Sequence, residues 1–165
     1  LASCENFGED NYDALSSAAT KWSIKLLKKS DQCISVFSCA HLFSTKGSSE
    51  KVLVCLKRAL TAAKQAQGMA KSSRGEMGPV ELFIAILNKY LYFFDKQEEG
   101  EEAQIKVEDV QMLVDLVSNE TSSLASAAGG EASDRVLKFY SNTLRHIMAL
   151  KEKKPEKYSA LSLKT

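Results

Sequence analysis

Proline and glycine are scarce in this sequence, with two and eight residues respectively among 165. Since both residues interrupt helices, their scarcity favours long, uninterrupted elements. No run of 18 apolar residues is long enough to cross a bilayer, and no basic start followed by an apolar segment indicates a secretory signal. The four cysteines form no Cys-x-x-Cys pair, which predicts reduced thiols in the cytosol rather than a disulfide framework.

An excess of charge of either sign is also missing. The sequence has 22 Lys and Arg residues against 21 Asp and Glu residues, which leaves a formal net charge of +1. Such a balance creates no overall field that would attract nucleic acid or an anionic membrane. We therefore expect no nucleic-acid partner and no direct insertion into a membrane.

Residue patterns for catalysis are equally sparse. The two histidines, His41 and His146, lie far apart in the sequence, and Cys39 projects from a helix in a different direction from His41. The glycines between Gly68 and Gly78 match neither of the common phosphate-binding motifs. We predict no catalytic residue, no cofactor and no metal site, although a carboxylate pair assembled by folding stays an alternative.

Apolar residues recur at helical spacing between the serine- and glycine-rich stretches. The pattern predicts about six helices joined as antiparallel hairpins in a single α-helical domain, residues 1–165. The predicted helices cover Asn11–Lys29, Asp31–Ser44, Ser49–Ala66, a segment that begins at Pro79, Val107–Val117 and Ser133–Glu152. We expect mobile loops at residues 67–78, 97–104 and 118–131, followed by a tail at 153–165.

The segment LFIAILNKYLYFFDK, Leu82–Lys96, carries more apolar and aromatic surface than a surface helix needs. Its polar residues, which include Asn88 and Asp95, gather within about one third of the helix circumference. A helix on the outside of a small domain needs an apolar stripe only about 100° wide. This helix must therefore be covered on two or more sides, either by its own domain or partly by another protein.

His41 is the most informative polar residue. On its predicted helix it lies between Ile34 and Phe37, within the apolar face. One interpretation is a core histidine that forms a hydrogen bond with a neighbour. The other is a partly exposed interface anchor, because the imidazole has an apolar body and a polar tip.

Four separated segments resemble, in order, the C-terminal part of the vacuolar protein sorting-associated protein 35 family, the large subunit of retromer. They are LLKKSDQCISVFSCAHLFSTK (Leu26–Lys46), KVLVCLKRAL (Lys51–Leu60), LFIAILNKYLYFFDK and SNTLRHI (Ser141–Ile147). The resemblance extends from about Asn11 to Leu161, and the tail KYSAL is similar to the family's terminal segment. Ser44 stands where the family usually has an aromatic residue, and the loops Gly68–Gly78 and Ser118–Gly130 are longer than the family's.

This resemblance implies an α-solenoid of HEAT-like helical hairpins, of which the chain is a terminal fragment beginning at Leu1 rather than at a methionine. Family members are cytoplasmic, peripheral on endosomal membranes, and return cargo to the Golgi or the plasma membrane. Their C-terminal end wraps around the small retromer subunit, which has a metallophosphoesterase fold, and the missing N-terminal part meets the other retromer subunits. The implied role is a non-catalytic scaffold.

A position within a longer array also predicts which surfaces are exposed. The apolar stripe of the first helix, which includes Leu15 and Trp22, should be open on its outer side. The last helix should act as the end cap of the array, with four residues turned outward: Lys138, Asn142, Arg145 and Ala149.

Seven residues are predicted to bind the partner. His41 matches the histidine of the family's HLF block, where the family meets its small subunit, and Phe43 lies beside it. The aromatic excess of the Leu82–Lys96 helix and the matching tail supply the others, which are Tyr90, Tyr92, Phe93, Tyr158 and Leu161. A different function stays open, that of a stand-alone helical-repeat adaptor which binds an amphipathic peptide in a groove.

Overall fold

The computed structural model describes residues 7–70, 78–97, 105–126 and 130–163. Within these ranges it contains no strand, so the predicted all-α fold class is confirmed. The described residues form seven helices: α1 (Glu9–Ser23), α2 (Lys29–Ser44), α3 (Ser49–Ala70), α4 (Pro79–Lys96), α5 (Val107–Ser126), α6 (Glu131–Lys153) and α7 (Pro155–Tyr158). None of the described helices is both long enough and apolar enough to cross a membrane.

The chain divides into two compact units, one of Leu1–Leu82 with Gln97–Gln104 and one of Phe83–Lys96 with Ile105–Thr165. In the first unit α2 and α3 form the main helical pair, and α1 packs on α2. In the second unit α6 contacts both α5 and α7.

Side chains near the helix starts explain why two boundaries could be read from the sequence. The Glu81 carboxylate accepts the Gly78 N–H at 3.1 Å, and Asp109 accepts the Lys106 N–H at 3.0 Å. Each acidic side chain reaches back three residues to an amide that has no partner inside the helix, and its charge suits the positive end of the helix dipole. Pro79 at the first position of α4 loses no hydrogen bond.

The largest differences from the predicted helices are at the ends of α1 and α5. α1 ends at Ser23 instead of continuing to Lys29, and the Gln32 side-chain amide donates to the Ile24 carbonyl in the connection that follows. α5 continues to Ser126. The hydroxyls of Thr121 and Ser122 donate to carbonyls four residues earlier at 2.8 Å, so they are satisfied within the helix.

The predicted mobile loops are therefore only partly visible. Residues 67–70 and 118–126 are helical. Most of the remaining loop residues, namely 71–77, 98–104 and 127–129, lie outside the described residues.

α1 buries its polar side and exposes its apolar side. Tyr12, Ser16 and Thr20 are buried, whereas Leu15 is 41% exposed and Trp22 is 67% exposed. The expectation of an open apolar stripe on the first helix is confirmed. Since most of this stripe already contacts water, it contributes little to the stability of the chain itself.

Trp22→Gln is expected to change the free energy of unfolding by no more than about 0.5 kcal/mol, the usual range for surface substitutions. A buried aromatic residue would instead cost about 3–5 kcal/mol on truncation. Urea denaturation followed by circular dichroism measures the difference. Leu56→Ala provides the positive control, because Leu56 is fully buried. A loss above about 2 kcal/mol for Trp22→Gln would mean that the stripe belongs to the core.

α4 is covered nearly all round, as its composition predicts. Eight of its residues in the second unit are at most 5% exposed: Phe83, Ile84, Ile86, Leu87, Tyr90, Leu91, Phe93 and Phe94. Its polar residues are also engaged, since the Asn88 side-chain amide donates to Thr143 Oγ1 on α6 at 3.0 Å. Much of the apolar surface of α4 is thus buried against other residues of the same chain.

α6 has the outward face that the sequence predicts. Lys138, Asn142, Arg145 and Ala149 are all exposed. The opposite face buries four residues: Val136, Tyr140, Thr143 and Ile147.

Candidate functional site

One side of α2 is accessible along almost its whole length. Ile34, Ser38, His41 and Thr45, which we call the α2 strip, follow one another at intervals of four, three and four residues and so lie on one helix face. Ser38 and Thr45 are exposed, while Ile34 and His41 are half-buried. The other side of the helix is buried and includes Cys33, Val36, Phe37 and Ala40.

The α2 strip offers little free hydrogen-bonding capacity in its hydroxyls. The Ser38 hydroxyl donates to the Ile34 carbonyl at 2.8 Å. Thr45 Oγ1 lies 2.8 Å from the Leu42 carbonyl and 2.8 Å from the Tyr12 hydroxyl. A strip of this kind suits docking of another surface more than capture of a small polar ligand, which requires converging polar groups.

Tyr12 fixes the C-terminal end of α2, where His41 and Thr45 of the strip lie. Its hydroxyl donates to the Leu42 carbonyl at 2.9 Å, and its side chain is only 3% exposed. The Lys46 ammonium lies 5.1 Å from the centre of the Tyr12 ring. His41 therefore projects from a helix end that is held by α1, which limits the entropy lost when a partner binds.

The burial of His41 bears on its two interpretations, as a core histidine or as an interface anchor. Half-burial is less than a core histidine needs and leaves part of the ring accessible, which favours the interface anchor. Phe43 differs, because it is only 6% exposed and the Lys51 ammonium lies 5.5 Å from its ring centre. Phe43 is therefore buried in the chain itself, and its contact with a partner stays a prediction.

The three predicted aromatic residues of α4 also differ in their exposure to solvent. Tyr90 is 2% and Phe93 is 5% exposed, so both are buried in the chain itself, and their contact with a partner stays a prediction. Burial, together with the charge of Asp109, raises the pKa of Tyr90 to about 12. Tyr92 is 40% exposed, and its ring meets that of Phe93 edge to face with centroids 5.0 Å apart. Among the three predicted aromatic residues of this helix, Tyr92 alone is available at the surface.

The two tail residues are also interior. Tyr158 is 0% and Leu161 is 1% exposed, because the tail folds back onto the second unit instead of extending into solvent. Binding of a separate protein through either side chain would require the tail to leave its position. A partner contact through Tyr158 and Leu161 stays a prediction.

Asp95 holds the tail through a charge-dependent contact. Burial disfavours its charged form, but hydrogen bonds from Lys154 and Tyr158, with the charges of Lys154 and Lys157, lower its pKa below the ordinary value of 3.8. The folded state therefore favours the carboxylate, so its contribution to stability is present above about pH 4 and is lost as the pH falls through the lowered pKa.

Asp95→Asn is expected to lower the free energy of unfolding by about 1 kcal/mol at pH 7, a value reduced by partial solvent exposure. The difference between the wild type and the variant should shrink as the pH falls below the lowered pKa. Thermal unfolding measured from pH 7 to pH 2.5 tests this expectation. A difference that is constant over the whole range would show that the charge of Asp95 is not involved.

The described residues contain no cluster of three or more His, Cys, Asp or Glu side chains that could hold a metal ion. Burial raises the pKa of the Cys33 thiol to about 12. Burial and the neighbouring Cys39 raise the pKa of the Cys55 thiol to about 11. Because the thiolate is the reactive form, both side chains are poor nucleophiles at neutral pH.

The sequence alone did not identify Ser38 and Thr45 as members of the α2 strip. A lone serine such as Ser38 belongs to no recognisable motif. A helical projection of α2 would have found it, since Ser38 lies four residues after Ile34 and three before His41 on the same face. Of the seven residues predicted to bind a partner, His41 and Tyr92 are the two that are not buried. They belong to different units, His41 to the first and Tyr92 to the second.

Comparisons with known proteins agree on a single family. A family model described as vacuolar protein sorting-associated protein 35 matches residues 1–120 of the chain. Protein 35B of Arabidopsis thaliana is 42% identical over 165 residues, which cover 95% of this chain and 20% of the relative. Protein 35C of the same plant is 38% identical over 148 residues, covering 86% and 17%. The Schizosaccharomyces pombe protein is 27% identical over 177 residues, covering 94% and 20%. The chain thus spans about a fifth of the length of these relatives.

Proposed function

Because this chain belongs to the vacuolar protein sorting-associated protein 35 family, we propose that it is a non-catalytic part of retromer whose α2 strip binds the small subunit of metallophosphoesterase fold. The names of its relatives associate those proteins with vacuolar protein sorting. In this proposal the complete protein is a cytoplasmic scaffold, peripheral on endosomes, that supports retrieval of membrane cargo. The other retromer subunits would bind the part of the protein beyond this chain, and any metal would belong to the partner.

The half-buried His41 on the α2 strip carries the proposal. It lies on a helix whose other side is buried in the first unit and whose end is held by Tyr12. The neighbouring hydroxyls are already hydrogen bonded to the backbone of the chain. A partner would therefore meet a stiff surface that carries one imidazole and no Lys, Arg, Asp or Glu side chain, and depletion of such charged residues is typical of the core of an interface.

The area of α2 also predicts that the contact extends further. A helix of 16 residues is about 24 Å long and about 10 Å wide, so its exposed face can bury roughly 240 Å². A stable complex between folded proteins buries about 800 Å² on each side. Binding of a globular partner must therefore involve additional helices, whereas an amphipathic peptide could be held by two.

Isothermal titration of the chain with the purified small subunit tests the proposal. We expect a 1:1 complex with a dissociation constant of about 1 μM or lower, as is common for interfaces of standard size. An amphipathic helical peptide that carries no part of the small subunit serves as the control and should not bind. A folded chain that binds the peptide but not the small subunit would replace this proposal with the adaptor function.

A further inference from the structure

The tail of the second unit is held like a bound peptide. α6 ends at Lys153, and Lys154 leaves the helix with φ −136° and ψ 63°. The chain then forms α7 and returns along the end of the unit. We call residues 155–163 the tail segment. Its two buried side chains, Tyr158 and Leu161, lie three residues apart.

The Tyr158 side chain occupies a polar and aromatic pocket. Its hydroxyl donates to Asp95 Oδ1 at 3.1 Å, and its ring meets Phe94 edge to face with centroids 5.2 Å apart. The Lys154 ammonium lies 2.7 Å from the same carboxylate oxygen, which keeps Asp95 available as a charged acceptor. The pocket thus recognises both an aromatic ring and a hydroxyl donor.

The backbone that follows Tyr158 is recognised as well. The Lys151 ammonium donates to the Leu161 carbonyl. The Gln111 side chain forms two bonds with Ser162, accepting its N–H at 2.7 Å and donating to its carbonyl at 3.0 Å. Backbone groups are common to all peptides, so these contacts would hold any segment whose two anchors fit.

We propose that this site is a receptor for a Tyr-x-x-Leu segment of a partner protein, and that the chain's own tail segment occupies it in cis. Two side-chain anchors with paired backbone bonds are the usual chemistry of peptide recognition. A simple end cap needs only apolar residues, whereas a tyrosine bonded to a carboxylate adds specificity for the hydroxyl. The site lies in the second unit and is separate from the α2 strip.

Because the tail segment is covalently attached, it would fill the site in the intact chain and prevent other peptides from binding there. The tail segment joins α6 through the single residue Lys154, so its effective concentration at the site is on the order of millimolar or higher. A free peptide at micromolar concentration cannot compete with it. Weakening the tail should therefore uncover the site.

The test uses the full chain with Tyr158→Ala and Leu161→Ala combined. The probe is a labelled synthetic peptide with the sequence of residues 153–163, KKPEKYSALSL, followed by fluorescence anisotropy. We expect it to bind the double variant at least about tenfold more tightly than it binds the wild-type chain. Replacing the peptide tyrosine with phenylalanine should weaken binding about tenfold, because only the hydroxyl bond is lost.

A matched control peptide carries Ser159→Ala, since Ser159 is exposed, and it should bind as well as the parent peptide. A folded double variant that does not bind the parent peptide overturns the proposal, and the tail is then an end cap only. If the double variant loses its helical signal, Leu161→Ala alone is titrated, and the peptide should raise its melting temperature. No rise would be equally decisive against the proposal.

A second copy of this chain is the competing occupant. If the wild-type chain forms dimers at high concentration and the free peptide dissociates them, the site exchanges tails between copies. This outcome would overturn the assignment to a partner protein. Size-exclusion chromatography with and without the peptide distinguishes the two cases.

Discussion

His41→Arg is expected to abolish copurification of this chain with the small retromer subunit while changing its melting temperature by no more than a few degrees. His41 is half-buried, so the chain alone can accommodate a longer side chain by directing it into solvent. At an interface the arginine would be pressed against the partner as a charge without a counterion. The loss should exceed about 2 kcal/mol, or about 30-fold in affinity.

His146→Arg is the matched control for this substitution. His146 is exposed on α6, outside the α2 strip, and the chemical change is the same. This variant should bind the small subunit as the wild type does. If His41→Arg instead makes the chain insoluble or reduces its helical content, His41 is a core residue and the docking surface is incorrectly assigned.

Phe93→Ala and Tyr92→Ala are expected to differ strongly although the two residues are neighbours. Phe93 is 5% exposed and Tyr92 is 40% exposed. Truncation of a buried aromatic residue removes its packing and leaves a cavity, which costs about 3–5 kcal/mol. For a chain of this size such a loss lowers the melting temperature by about 10 °C or more.

Tyr92→Ala should cost less than about 1 kcal/mol, because the ring is partly solvated and loses only an edge-to-face contact with Phe93 and a contact with the Lys96 ammonium. Urea denaturation of both variants, monitored by circular dichroism, measures the contrast. Equal losses would mean that the side of α4 bearing Tyr92 is also part of the core. The interpretation of Tyr92 as a surface aromatic residue would then be wrong.

Local chemistry made several features of the fold predictable. Pro79 marks the start of α4 because it loses no hydrogen bond there. The width of the apolar surface from Leu82 to Phe94 required cover on several sides, and nine of these residues are buried accordingly. Both conclusions depend on neighbours in the sequence and on helical geometry alone.

The tail could not be predicted in the same way. Tyr158 and Asp95 are 63 residues apart in the sequence, and no spacing rule connects them. An aromatic residue near the end of a chain has the same appearance in a sequence whether it lies in solvent or in a pocket. Only the tertiary contact with Asp95 and Phe94 distinguishes the two.

Aromatic content similarly could not separate core residues from surface residues. The aromatic content of α4 predicted partner contacts for Tyr90, Tyr92 and Phe93 alike. Their burial, however, depends on which helices cover each side of α4. The larger exposed apolar side chains instead include Trp22 on α1 and Leu27 in the connection that follows it. Helical periodicity gives the direction of a side chain and does not give what covers it.

Hydrogen exchange of the chain with and without the small retromer subunit tests the central proposal most directly. We expect slower amide exchange across residues 34–44 of α2 when the subunit is bound, with unchanged exchange along the outer stripe of α1. Protection confined to α1, or absent from α2 in a complex that demonstrably forms, would contradict the assignment of the α2 strip as the docking surface.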